Sequence, residues 1–181
     1  MCSRRNPRAS PWRGSASIRV KQFVAPGGEK RTPVPGAGFA SLSSLPSPGA
    51  MTQPTLPTVL VVDDNHDNAE IIERYLGVRG YPISVAHGGD EALALFEQVR
   101  PGLVLLDVMM PGRDGWEVCR LMRQHPVLGK TVRIIMVTAL DEWDDKRQAI
   151  QTGADDYVSK PFDLPKLAAT VERNAAMLVA R

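Results

Sequence analysis

Thr58-Val-Leu-Val-Val-Asp63 is the stretch on which the fold turns. It is continuous, apolar and β-branched, the composition of a strand buried on both faces rather than one that alternates between core and water. A helical period follows it, with Ala69, Ile72 and Leu76 spaced to form one apolar face. The alternation then repeats along the chain. Further strands are expected near 81–86, at Leu103-Val-Leu-Leu-Asp107, at Val132-Arg-Ile-Ile-Met-Val-Thr138 and at Asp156-Tyr-Val-Ser159. Helical faces fall at Ala92/Leu95/Phe96/Val99, Val118/Leu121/Met122 and Leu164/Leu167/Ala168/Val171, with a further helix over roughly 142–152.

Strands and helices in strict alternation imply an α/β, doubly wound, parallel sheet with right-handed crossovers and helices on both faces. Five such units fit the flavodoxin-like strand order 2-1-3-4-5. The domain carrying them runs over 57–181, and residues 1–56 have a different character. Positions 1–50 contain 7 Pro, 6 Gly and 8 Ser, too little apolar surface to offset the ordering of the backbone, so a solvated tail is expected there. Residues 1–50 hold 8 Lys+Arg and 1 Asp+Glu, a net of +7, leaving 14 and 19, a net of −5, for 51–181. The tail's basic residues are scattered and lack interleaved aromatics, which argues against a nucleic-acid or membrane footprint. Met51 is an alternative start, in which case 1–50 have no function.

Cys2 and Cys119 are far apart and lack metal or redox spacing, which excludes a disulfide framework and a zinc site and points to a reducing interior. No run approaches the roughly 18 apolar residues of a membrane span, and no apolar region follows Arg4-Arg5 as a secretory signal would need. A cytoplasmic protein is expected.

In this architecture ligand chemistry belongs at the carboxyl ends of the strands. The first strand ends in Asp63-Asp64, the third in Asp107, the fourth in Thr138 and the fifth in Ser159-Lys160-Pro161. Three carboxylates gathered at one edge repel one another, and a hard divalent cation such as Mg²⁺ is the ion that oxygen donors of this kind suit. Such a site is prepared for phosphoryl transfer, which needs positioning and charge neutralisation more than covalent chemistry from the protein. Asp107 is the candidate nucleophile, able to hold phosphorus as an acyl phosphate. Lys160 offers a point charge to a phosphoryl oxygen, and Thr138 a hydroxyl to another. Taken singly, each residue has an ordinary structural explanation: an acidic pair after a strand is often the cap of the next helix. The combination is what points to a site.

Val59-Leu-Val-Val-Asp-Asp64, Leu105-Leu-Asp-Val-Met-Met-Pro-Gly112, Val137-Thr-Ala139 and Lys160-Pro-Phe162 together resemble the receiver domains of two-component response regulators, over about residues 57–181. The resemblance implies that Asp107 is the phosphoacceptor, Asp64 a direct Mg²⁺ ligand, Asp63 an acid holding the metal mainly through water, and the Met109 backbone carbonyl the remaining protein ligand. It places Lys160 and Thr138 as the family's lysine and switch hydroxyl. Tyr157 falls at the rotating switch aromatic, although a static packing residue is the alternative. It also implies a cis Lys160-Pro161 bond. The resemblance further implies that the side chains two residues past Asp107 and Thr138, here the bulky apolar Met109 and Leu140, influence how water reaches the acyl phosphate, so slow hydrolysis of the phosphoaspartate is expected.

The family's function implies a phosphorylation-activated switch and not a conventional enzyme, with a histidine kinase or histidine phosphotransfer protein as donor, docking near residues 66–79. No output domain motif follows Phe162, so a stand-alone receiver is expected, signalling to a protein target through the helix over 142–152, the fifth strand and the last helix. Trp143 is either incidental or part of that surface. A phosphorylation-independent scaffold is the alternative. A metal-dependent phosphohydrolase would carry a second acid where Met109 stands.

Overall fold

The computed structural model describes residues 56–139 and 152–179. The tail, Leu140, Trp143 and most of the helix expected over 142–152 lie outside them. In chain order the elements are β1 (Val59–Val62), α1 (His66–Gly77), β2 (Ile83–Ala86), α2 (Gly89–Val99), β3 (Leu103–Asp107), α3 (Gly115–Gln124), α4 (Leu128–Thr131), β4 (Arg133–Thr138), β5 (Asp156–Ser159) and α5 (Leu164–Val179). The five strands form one sheet, parallel throughout, in the order β2-β1-β3-β4-β5. This is the expected doubly wound topology.

Successive residues of a strand point to opposite faces, and that alternation divides the sheet between two cores. Leu60, Val62, Val104, Leu106, Ile134 and Met136 pack with α2 and α3. Val59, Val61, Leu103, Leu105, Ile135 and Val137 pack on the other face with α1 and α5. Both faces are covered, which is why the central strands read as unbroken apolar runs. Among the described residues no helix is long and apolar enough to cross a membrane.

Three local outcomes differ from the sequence reading. Tyr81 and Pro82 precede β2 instead of opening it: the Pro82 carbonyl accepts from Val59 N–H, and Tyr81 is buried against α1. A short helix, α4, lies between α3 and β4 and was not anticipated. On α3 the buried face includes Trp116 and Cys119, while Leu121 is only partly covered.

Arg123, near the end of α3, gathers the chain behind the sheet. Its Nε donates to the Gly153 carbonyl at 2.6 Å, Nη1 to the carbonyls of Gly129 and Val132 at 3.0 and 2.9 Å, and Nη2 to the Asp155 carboxylate. Asp155 in turn accepts from Ile134 N–H and pairs with Arg133. Beside this hub the Cys119 Sγ–H reaches the Thr152 carbonyl at 3.6 Å, and burial pushes the thiol up to about 11.

Candidate functional site

The turn after β1 settles what the acidic pair does. Asn65, not Asp64, caps α1: its side-chain oxygen accepts from Asp67 N–H and Asn68 N–H. Both acids are thereby released from a capping role. Asp63 instead accepts from Asn65 N–H at 2.9 Å through Oδ1 and lies 3.5 Å from Asn68 Nδ2. The His87 Nδ1 stands 3.3 Å from the Asp63 carbonyl oxygen, and its ring faces that of His66 at 3.8 Å between centroids.

Asp107 closes β3, buried like Asp63 at 2% exposure. One ligand oxygen from each of Asp63, Asp64 and Asp107 falls within 4.8 Å of the others. The Lys160 ammonium bridges two of the three, donating to Asp63 Oδ2 at 2.9 Å and to Asp107 Oδ2 at 2.7 Å. The other Asp107 oxygen, Oδ1, accepts from Met109 N–H at 3.2 Å. Thr138 ends β4, buried, and the parallel register sets it beside Ser159, so that Lys160 N–H donates to the Thr138 carbonyl. The Lys160-Pro161 peptide is cis, as expected. Asp63, Asp64, Asp107 and Lys160 therefore converge, and the Met109 N–H and the Thr138 carbonyl are joined to them through Asp107 and the Lys160 backbone. Met109's side chain is exposed. Tyr157 stands on β5 at 43% exposure, which fits both the half-buried packing residue and the switch aromatic.

Burial raises the Asp107 carboxyl above its ordinary value, against the lowering effect of the Lys160 hydrogen bond. Burial also acts to lower the Lys160 ammonium, but its two carboxylate partners prevail and hold it above the ordinary 10.5. A lysine raised in the folded state stabilises the fold fully below its unfolded value, and that contribution is lost as pH rises through the raised one. Wild-type stability therefore carries a loss above pH 10.5 that a Lys160→Met variant lacks, measurable by denaturant titration along a pH series.

The loop after Asp107 is held by contacts that the sequence reading passed over. Gly115 brings α3 so close to β3 that a Cβ there would overlap the Asp107 carbonyl oxygen and stand 2.8 Å from Val108 Cα. Arg113 ties the same loop to α2, with Nε on Asp90 at 2.9 Å and Nη1 on Glu117 at 2.5 Å. The glycine after the helix cap Asp114 was the available signal for the first of these contacts. Nothing in the local pattern marks His87 or Arg113.

The model of the family described as "Response regulator receiver domain" matches residues 59–172. Among solved structures, a putative response regulator from Chloroflexus aurantiacus is 38% identical, with a TM-score of 0.63 over 67% of this chain and 98% of that one. The chemotaxis response regulator CheY4 of Vibrio cholerae is 30% identical, with a TM-score of 0.63 over 66% and 99%. The signal receiver domain of a signal transduction histidine kinase from Syntrophus aciditrophicus is 32% identical, with a TM-score of 0.62 over 67% and 92%.

Proposed function

Since this chain belongs to the response regulator receiver domain family, a family of signalling switches and not of conventional enzymes, we propose that it takes a phosphoryl group onto Asp107 and signals through the change that follows. The observation that carries the reading is the Lys160 ammonium held between two buried carboxylates at the ends of β1 and β3. The donor is a phosphohistidine on a histidine kinase or phosphotransfer protein, which docks against α1. The Asp107 carboxylate attacks phosphorus in line, a P–O bond forms as the P–N bond to the imidazole breaks, and the departing nitrogen keeps the electron pair. Met109 N–H orients the carboxylate, Lys160 follows a phosphoryl oxygen, and the Thr138 hydroxyl takes another.

The donor set fits Mg²⁺. Lys160 pairs with two of the three carboxylates and Asp64 adds a third, so the pocket retains excess negative charge, and all its side-chain ligands are hard oxygens. Asp63, Asp64, Asp107 and the Met109 carbonyl would hold the ion, which supplies positive charge to the phosphoryl oxygens when bound. Output passes to a protein target over β5 and α5, together with segment 142–152, most of which lies outside the described residues, with Tyr157 as the switch aromatic. A donor of this kind places the protein in the cytoplasm.

Acetyl phosphate with Mg²⁺ is expected to raise the intact mass by roughly 80 Da, one phosphoryl group, and excess EDTA is expected to prevent the gain. Equal labelling without the cation would count against the metal assignment. An absence of labelling, from both acetyl phosphate and a phosphorylated histidine kinase, would favour the phosphorylation-independent scaffold. The bulky apolar residues two positions past Asp107 and Thr138 in the sequence, Met109 and Leu140, support a label that survives for minutes after the donor is removed. Decay within seconds would remove that expectation.

A further inference from the structure

Met109 is the most exposed methionine among the described residues. Its exposure is 62%, against 47% for Met177, 7% for Met110 and 0% for Met122 and Met136. The Met177 sulfur is engaged by Arg133 Nη2 at 3.4 Å. Met109 is also tethered to the acceptor, since its N–H donates to Asp107 Oδ1 at 3.2 Å. With an N–Cα bond of about 1.46 Å, the Met109 Cα lies within about 4.7 Å of that oxygen. A largely water-exposed methionine thus has its Cα close beside the carboxylate on which the acyl phosphate would be made.

We propose that Met109 is an oxidation site for peroxides that controls the lifetime of the phosphorylated state. The inference rests on the assignment of Asp107 as acceptor. The thioether sulfur attacks one peroxide oxygen and the O–O bond breaks. That oxygen becomes the sulfoxide oxygen, the other leaves as water with both protons, and sulfur is oxidised by two electrons as peroxide is reduced. The product is polar, an acceptor on sulfur where an apolar group had been. It orders water beside the acyl phosphate that the thioether keeps dry, so hydrolysis accelerates. A reductase acting on methionine sulfoxide reverses the change.

The test uses the full chain, together with Met109→Leu and Met177→Leu variants. Each is treated with graded hydrogen peroxide, mapped by peptide mass, charged with acetyl phosphate and Mg²⁺, and followed by intact mass once the donor is removed. Met109 is expected to oxidise before Met110, Met122 and Met136. Oxidation is then expected to shorten the phosphoryl half-life about threefold or more in wild type and Met177→Leu, and sulfoxide reductase is expected to restore it. Met109→Leu, compared with itself before and after peroxide, is expected to show no change.

Oxidation at Met109 that leaves the half-life unchanged or lengthened overturns the proposal, as does a Met109 that stays reduced while the buried methionines oxidise. These failures are read only on protein that labels before peroxide. If the untreated protein labels from neither acetyl phosphate nor a phosphorylated histidine kinase, the acceptor assignment fails and takes this proposal with it.

Discussion

An Asp107→Asn variant takes up no phosphoryl group, with its mass unchanged under conditions that label wild type. The amide retains nearly the shape of the carboxylate but accepts through its oxygen alone, so only one of Met109 N–H and Lys160 keeps its acceptor, and the nucleophile is gone. Stability moves in the opposite direction. Burial raises the Asp107 carboxyl in the folded protein, so the ionised form is less comfortable there than in the unfolded chain. For a carboxylate raised in this way, the favourable contribution exists at low pH, below the ordinary 3.8, and is lost as pH rises through the raised value. In EDTA at neutral pH the variant is therefore more stable than wild type, and the difference closes on acidification. Mg²⁺ stabilises wild type more than the variant. Denaturant titrations at neutral and acid pH, with and without the cation, measure all of this. Labelling retained by the variant would remove Asp107 from the proposed role altogether.

Gly115→Ala destabilises the protein by about 2–4 kcal/mol, at the upper end for forcing a methyl group into a packed interior. The sign is informative because helix propensity argues the other way, favouring alanine over glycine inside a helix by about 1 kcal/mol. Geometry prevails, since the obstacles are the Asp107 carbonyl and the Val108 Cα, backbone atoms of β3 and the loop after it that cannot turn aside as a side chain can. The helix must retreat, and the loop that presents Met109 moves with it. The folded fraction is expected to label more slowly than wild type as well. Gly77 in α1 is the matched control, because a Cβ there meets nothing within 4 Å. Gly77→Ala is expected to be neutral or to gain about 0.5–1 kcal/mol. Were Gly115→Ala to behave like Gly77→Ala, the close approach of α3 to β3 would be refuted. Urea melts of the pair decide the matter.

Most of the sheet was legible because its information is local. Residues 59–62 and 103–106 are apolar at every position since both faces are covered, and strand ends carry Asp63, Asp107 and Thr138 at places that the topology then gathers. The remainder depends on contacts between distant parts of the chain. Tyr81 resembles a strand residue by type, yet the place of Pro82 beside Val59 decides where β2 begins. Whether Asp64 or Asn65 would cap α1 could not be chosen from type, since both are good caps. Arg123 looks like any arginine late in a surface helix, and its guanidinium makes its four hydrogen bonds, to partners from Gly129 to Asp155, only once β4 and β5 are in place. The Asp90–Arg113 pair joins α2 to the loop before α3, with no signature in either segment.

The thiol of Cys119 makes the packing behind Thr152 measurable as a rate. A buried thiol with its proton held up to about 11 is inert toward disulfide reagents until the structure around it opens. Its modification rate is then an opening equilibrium constant multiplied by the reactivity of a free thiol. Replacing Cys2 by serine leaves one cysteine in the sequence, hence one kinetic phase. The ratio of that rate in unphosphorylated and phosphorylated protein reports how far the signal loosens or tightens the contact between α3 and Thr152, at about 1.4 kcal/mol for each factor of ten.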